Sequence, residues 1–142
     1  MPLQSVLPDI YIKEDAIHHF ILQEFSKYGD TIALTESETG ETYSFRQFAL
    51  LSKSIAAGLQ ANGLVKGDIV LIAVPNCAAY ALCTIAALRA GGTVSGVDCL
   101  YTKREMVDRI EDCNAKFILA AADYYRTVVG PAVKMAKSCN VK

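Results

Sequence analysis

The run IVLIAVPNCAAYALCTIAAL, Ile69 to Leu88, holds no charged residue, with Asp68 before it and Arg89 after it. Its length is close to the roughly 20 residues a helix needs to cross a bilayer. Such a run must be covered, either by lipid or by the rest of a fold. Proline decides between the two. Pro75 has no N–H to donate and pushes Val74 out of helical angles. The run therefore divides into an apolar stretch rich in β-branched residues over Ile69–Ala73, a Pro75–Asn76 turn, and a helix over about Cys77 to Arg89. A continuous apolar strand of this kind suits a parallel sheet covered on two faces. The helix that follows is rich in alanine and too short to span a membrane, so packing on a sheet is the expectation.

The same alternation continues downstream. Gly91–Gly92 ends the helix and Thr93–Val97 reads as a second buried strand. Thr102 and Glu105 form a capping box for a helix through Met106, Ile110 and Cys113, with Asn114 as its stop. Lys116–Ala121 reads as a third strand. Asp123 then caps a helix that Gly130–Pro131 is expected to interrupt, with Pro131 restarting a second piece. Asn140–Val141–Lys142 resembles the lead into a fourth strand. The order βαβαβα, with right-handed crossovers, gives a parallel sheet in an α/β/α layering.

Upstream the signals are more local. Ile17, Phe20, Ile21, Phe25 and Tyr28 follow helical spacing up to Gly29. Thr31–Thr35 and Thr42–Tyr43 flank a polar turn at Gly40 and read as a β-hairpin. Ser44 and Gln47 make another capping box, opening a helix that buries Phe48, Leu51, Ile55 and Leu59 and ends at Asn62–Gly63. Residues 1–30 are thus an N-terminal extension and first helix, and residues 31–142 the start of an α/β core, within one partial domain over 1–142.

Composition excludes several function classes. A net charge of −1 offers no electrostatic case for nucleic acid. The five cysteines include no C-x-x-C and no histidine at ligand spacing, so they are expected to be reduced, buried thiols in an intracellular compartment rather than a zinc site or disulfide framework. MPLQSVLPDIYIKED has neither the basic start nor the apolar stretch of a secretory signal. His18 and His19 are neighbours on a helix, diverge by about 100° and are expected on its surface or rim. Glu111 and Asp112 point two ways in the same manner and form no acid/base dyad. The glycines of RAGGTVSG lie between a helix end and a strand, the reverse of a phosphate cradle. No Walker, Rossmann, nucleophile-elbow or zincin motif is present. The Pro75–Asn76 turn and the Asp98–Thr102 loop fall at carboxyl ends of parallel strands, where open α/β sheets bind ligands.

Four stretches in order carry a family resemblance. ETYSFRQF is similar to "T-Y-x-E/Q-L/F". GLVKGDIVLIAVPN is similar to "G-[LV]-x-x-G-D-x-V-x-x-x-x-P-N". ALRAGGTVSGVD is similar to "x-L-[KR]-A-G-[AG]-x-x-x-x". LYTKREMVDRIEDCNAKFIL is similar to "x-Y-[TS]-x-x-E-[LIM]-x-x-x-[LI]-x-[DN]-[ST]-x-A-K". From about Glu41 to Ala121 the chain resembles the N-terminal part of the adenylate-forming (AMP-binding) superfamily. Its nearest branch holds 4-coumarate–CoA ligases, acyl-CoA synthetases and insect luciferases. One departure is that Asp98 is followed by Cys99 where that family often has proline.

The resemblance implies an incomplete portion of the family's large N-terminal domain. It implies a parent enzyme that uses ATP, Mg²⁺ and CoA to turn a small fatty or aryl carboxylic acid into an acyl-adenylate and then an acyl-CoA, in the cytoplasm or a peroxisome. The family's phosphate loop, ribose-binding acid, acyl pocket and catalytic lysine all lie beyond the matched motifs. No catalytic, cofactor-binding or metal residue is therefore expected in this chain, and no cofactor for the chain alone. Two other readings stand beside this one. The chain could be a non-catalytic interaction module that associates with the missing remainder of the domain or with a full-length paralogue. It could also be a small membrane protein built on the opening run.

Overall fold

A computed structural model describes residues 7, 8, 10–137, 141 and 142 of the chain. Strand β3, Ile69–Ala73, is its centre, and Val70, Leu71, Ile72 and Ala73 are all inaccessible to solvent. It lies between β4, Thr93–Gly96, and β5, Phe117–Ala120, in the order β4-β3-β5 with every pairing parallel. Three short strands joined by helices are what the apolar runs and their glycine and proline punctuation require. (β1 and β2 belong to the hairpin described below.)

Side chains alternate across β3. Val70 and Ile72 meet Leu59, Ala56, Ala86 and Ala87 on helices α3, Phe45–Ala61, and α4, Ala78–Arg89. Leu71 and Ala73 meet Met106 and Ile110 of α5, Lys103–Cys113, and Val129 and Ala132 beyond β5. The two clusters are the two α/β interfaces of the layered fold. Burying each Val, Leu or Ile side chain stabilises by about 1.5–3 kcal/mol, so β3 is the strand the layers depend on. The alanines of α4 let it lie close to the sheet. Gly92 permits the same closeness at the entry to β4, where an added Cβ would meet Val70 Cγ2 at 3.0 Å and the Ala87 carbonyl at 3.2 Å.

The capping boxes form as the sequence suggests. Ser44 Oγ accepts from the Gln47 N–H at 3.2 Å, while Gln47 Oε1 accepts from the Ser44 N–H at 2.9 Å. Thr102 Oγ1 accepts from the Glu105 N–H at 3.4 Å, and Glu105 Oε2 accepts from the Thr102 N–H at 2.8 Å. Asn114 closes α5 in the left-handed conformation, φ 50°. No described helix is long and apolar enough to cross a membrane.

Several expectations need correction. Leu51 of α3 is 39% exposed and Ser52 beside it is buried instead, and β4, at the sheet edge, is only half-covered rather than buried. The N-terminal helix is two pieces, α1, Ile17–Leu22, and α2, Phe25–Tyr28. The break turns Phe25 onto Phe45 and Phe48, with ring centroids 4.8 and 5.5 Å apart. After β5 the chain does not break at Gly130–Pro131 but passes into its last helical piece through a π turn, with Pro131 in the first turn of that piece as expected. α6, Ala122–Tyr124, runs through a π-helical turn, Tyr125–Val129, into α7, Gly130–Met135. Pro131 cannot bond to the carbonyl four residues back, and the wider turn before it makes room for its ring. Ala121, not Asp123, is the residue that starts this path. Finally, Cys77, Cys83, Cys99 and Cys113 are free thiols but half-buried rather than fully covered, and Cys139 lies outside the described residues.

The antiparallel hairpin forms from β1, Ile32–Thr35, and β2, Thr42–Ser44. At the other end of the chain, Lys142 donates its N–H to the Lys116 carbonyl at 2.9 Å, and its carbonyl accepts from the Ile118 N–H at 3.1 Å. These two bonds run parallel to β5, but Val141 and Lys142 are in no strand, and Asn140 of the expected fourth-strand lead lies outside the described residues.

Candidate functional site: a cleft at the carboxyl ends of β3 and β4

The Pro75–Asn76 turn and the Asp98 loop come together. Pro75, Asn76, Tyr80, Gly96, Asp98 and Cys99 line a cleft of about 520 Å³ at the carboxyl ends of β3 and β4. Each wall follows from local sequence. Pro75 ends β3 and releases the chain outward. Cys77 then serves as the N-cap of α4 with no side-chain cap of its own. Tyr80 sits in the first turn of α4, and its hydroxyl lies so near the end of β4 that a Cβ on Gly96 would come within 3.0 Å of it. A side chain at Gly96 would make the Tyr80 hydroxyl give way by a few tenths of an ångström.

The Asp98 loop is held on two sides. The Leu100 N–H donates to Asp98 Oδ1 at 2.9 Å, closing a turn within the loop. From across the cleft wall, the Tyr124 hydroxyl donates to the Tyr101 carbonyl at 3.1 Å and the Asp98 carbonyl at 3.3 Å. Burial first, and then the thiol of Cys99 and the carboxylate of Asp98, push the Tyr124 phenol above its ordinary range. It therefore stays protonated as a strap. The Cys99 thiol is also pushed up, by burial, Asp98 and Cys77 in that order. A protonated thiol is a poor nucleophile.

A nucleotide or metal fits this cleft badly. The first amide of α4, that of Ala78, already donates to the carboxylate of Glu36, which reaches in from the turn after β1. The helix N-terminus that would attract a phosphate thus has an anion in place. Asp98 adds a further negative group to the rim. Among the described residues no group of three or more His, Cys, Asp or Glu side chains could hold a metal ion. Glu111 accepts from the Lys137 N–H at 2.8 Å while Asp112 faces Arg109 at 3.5 Å, so the adjacent acids do point two ways.

Sequence reasoning located both loops but missed Tyr80, Glu36 and Tyr124. Tyr80 had a signal, being four residues after Asn76 on the turn that continues into α4. Glu36 and Tyr124 had none, because their partners are 42 and 23–26 residues away.

Comparison with known proteins decides the family. The model of the AMP-binding enzyme family matches residues 22–141. The chain belongs to the AMP-binding enzyme family. Within it, 4-coumarate–CoA ligase 1 of Petroselinum crispum is 33% identical over 122 residues, covering 85% of this chain and 22% of that protein. 4-Coumarate–CoA ligase 1 of Arabidopsis thaliana is 30% identical over the same shares of each. This chain spans about a fifth of the length of these relatives. A long-chain-fatty-acid-CoA ligase from Archaeoglobus fulgidus has the same fold, with a TM-score of 0.86 and 20% identity over 98% of this chain and 28% of that one. A luciferase-like enzyme from the mealworm Zophobas morio gives a TM-score of 0.80 at 20% identity, covering 89% and 30%. The adenylate-forming resemblance read from the four motifs is therefore correct, and so is the α/β fold with its parallel sheet.

Proposed function

We propose that the chain is the N-terminal scaffold of an ATP-dependent acid–CoA ligase acting on a fatty or aryl carboxylic acid, and that on its own it does not catalyse the reaction. The observation that carries this reading is the family match over residues 22–141 together with the 33% identity to a 4-coumarate–CoA ligase. In this reading residues 1–142 form one partial domain, with residues 1–30 as an extension and residues 31–142 as the start of the core. ATP, Mg²⁺ and CoA belong to the parent reaction, in a cytoplasmic or peroxisomal setting. When bound, ATP would activate the carboxylate as an acyl-adenylate with release of pyrophosphate, and the CoA thiol would then displace AMP from the acyl group.

What this chain's own residues contribute is shape. Glu36 bonds the start of α4 and Tyr124 bonds the Asp98 loop, the two segments that flank the β3–β4 cleft. ATP–pyrophosphate exchange by the purified chain, across a panel of aryl and fatty acids, tests the claim. No exchange above the blank is expected. Acid-dependent exchange would overturn it.

A non-catalytic role in association is favoured by one feature. The groove beside β5, lined by Ile55, Leu59, Phe117 and Leu119, is about 390 Å³ and is entered by Lys142. A paired but unfilled strand edge of this kind invites another strand. Co-purification with a full-length paralogue would support this second reading, and a monomer that ignores it would count against it.

A further inference from the structure

A second cleft, of about 620 Å³, lies between α1 and the α3–α4 pair and gathers His18, His19, Lys53 and Arg89. It is remote from the β3–β4 cleft. Tyr80 is in the first turn of α4 and Arg89 in its last, about 14 Å apart along a helix rising 1.5 Å per residue. We propose that this basic cleft binds a phosphomonoester dianion, held by Lys53 and Arg89 with His18 closing over it.

Arg89 is aimed rather than loose. Its Nη1 donates to the Ala49 carbonyl at 3.0 Å and to Ser52 Oγ at 3.1 Å, and Ser52 is fully buried. Among the described residues its Nε and Nη2 have no partner, so the remaining donors of the fork are available to an anion. Lys53 is one helical turn after Ala49 on α3, which brings it beside the guanidinium. It is exposed and makes no ion pair or hydrogen bond among the described residues. From α1 come His18 and His19, whose rings meet at 4.3 Å instead of diverging.

Charge at this cleft is one-sided. The carboxylate nearby is Asp15, which bonds to His19 Nδ1 at 3.3 Å and to Lys13 Nζ at 3.1 Å and so is shared between the two side chains. Arg89 gains from the C-terminal end of the α4 dipole, which accounts for one cation there. The dipole does not account for Lys53 or His18. The proton affinity of His18 is lowered by burial first, then by His19 and Arg89, with Asp15 opposing weakly. Burial is the larger cause, and the Arg89 guanidinium acts in the same direction. Cations gathered around a concave surface without a matching carboxylate suit a dianion with three acceptor oxygens.

The chain has two histidines, so its ring Hε1 resonances give a direct readout. Inorganic phosphate is titrated at constant ionic strength against the 142-residue chain, with chloride as control. A saturable shift of the His18 resonance is expected, with the His18 titration midpoint moving up in phosphate because a bound anion favours the imidazolium. Lys53→Gln, an exposed change that leaves the fold intact, is expected to weaken binding about tenfold or more, the loss of one charge-assisted contact. Lys53→Arg is expected to retain binding.

Sedimentation with vesicles of phosphatidic acid in phosphatidylcholine separates the two sources of such a group. Co-sedimentation lost in Lys53→Gln assigns a lipid headgroup. Saturable phosphate binding without co-sedimentation assigns a soluble ligand. Absence of any phosphate-specific shift, or a shift equal in wild type and Lys53→Gln, overturns the proposal.

Discussion

Strand β3 and helix α1 are both rich in large apolar residues, yet they end in opposite environments. Val70, Leu71 and Ile72 of β3 are fully covered, whereas Ile17 and Phe20 of α1 are 54% and 56% exposed. The segment before α1 is more open still, with Ile10, Tyr11 and Ile12 each largely exposed. The difference lies in what surrounds each element. β3 has a strand on either side and a helical layer on each face. α1 has one neighbour layer, where Ile21 and Leu22 pack against Phe48, Leu82 and Ile85. Ile17 and Phe20 have beside them only the exposed segment Ile10–Lys13, with which they line a shallow pocket. Hydrophobicity alone therefore does not tell core from surface in this chain. The number of packed layers does.

The largest effect should come from breaking β3. Leu71→Ala removes a fully buried side chain and should cost about 2–5 kcal/mol by urea denaturation. Phe20→Ala, which deletes a larger but half-exposed side chain, should stay within about 0.5 kcal/mol. Equal losses would abolish the contrast between the two regions.

A middle-sized effect should come from the link between them. Glu36, in the turn after β1, caps α4 at the Ala78 amide, so it joins the outer hairpin to the inner layer. Glu36→Ala should lower stability by about 1 kcal/mol, the usual value of a lost helix cap. It should also raise hydrogen exchange at the first turn of α4 more than at α3. A uniform rise would mean that the hairpin and the core are one unit rather than two joined by a contact.

The smallest effect concerns charge at the start of α5. Hydrogen bonds from the Thr102 backbone and then the Thr102 hydroxyl hold the Glu105 carboxyl below its ordinary range. A lowered folded value means a contribution that is present above the unfolded pKa and is lost as pH falls through the folded one. Wild type should thus exceed Glu105→Gln in urea midpoint at neutral pH, and the two should converge in acid below the carboxylate range. A gap that widens in acid would reverse the assigned sign.

The inner layer was legible in the sequence because its signals are local and agree. Pro75 splits the apolar run, Gly91–Gly92 ends α4, Thr102 and Glu105 start α5, and Asn114 closes it, each within a few residues of where the element begins or stops. The outer features were not legible for the opposite reason. The break between α1 and α2 follows from Phe25 reaching Phe45 and Phe48, partners that helical periodicity cannot see. Gly130–Pro131 reads as an interruption, because sequence rules do not foresee the π turn that carries the chain into α7. At the candidate site the strand ends could be read from Pro75 and Asp98. The residues that hold those ends, Glu36 and Tyr124, act across the fold and leave no periodic trace. The basic cleft is of the same kind, assembled from α1, α3 and α4.

Native-state hydrogen exchange, resolved by residue, tests most directly the claim that coverage by layers, and not apolar content, sets the order of stability. The account expects the amides of Val70–Ala73 to exchange slowest and those of residues 10–22 to exchange among the fastest, although both stretches are apolar. Comparable protection in the two stretches, or slower exchange in α1 than in β3, would contradict it.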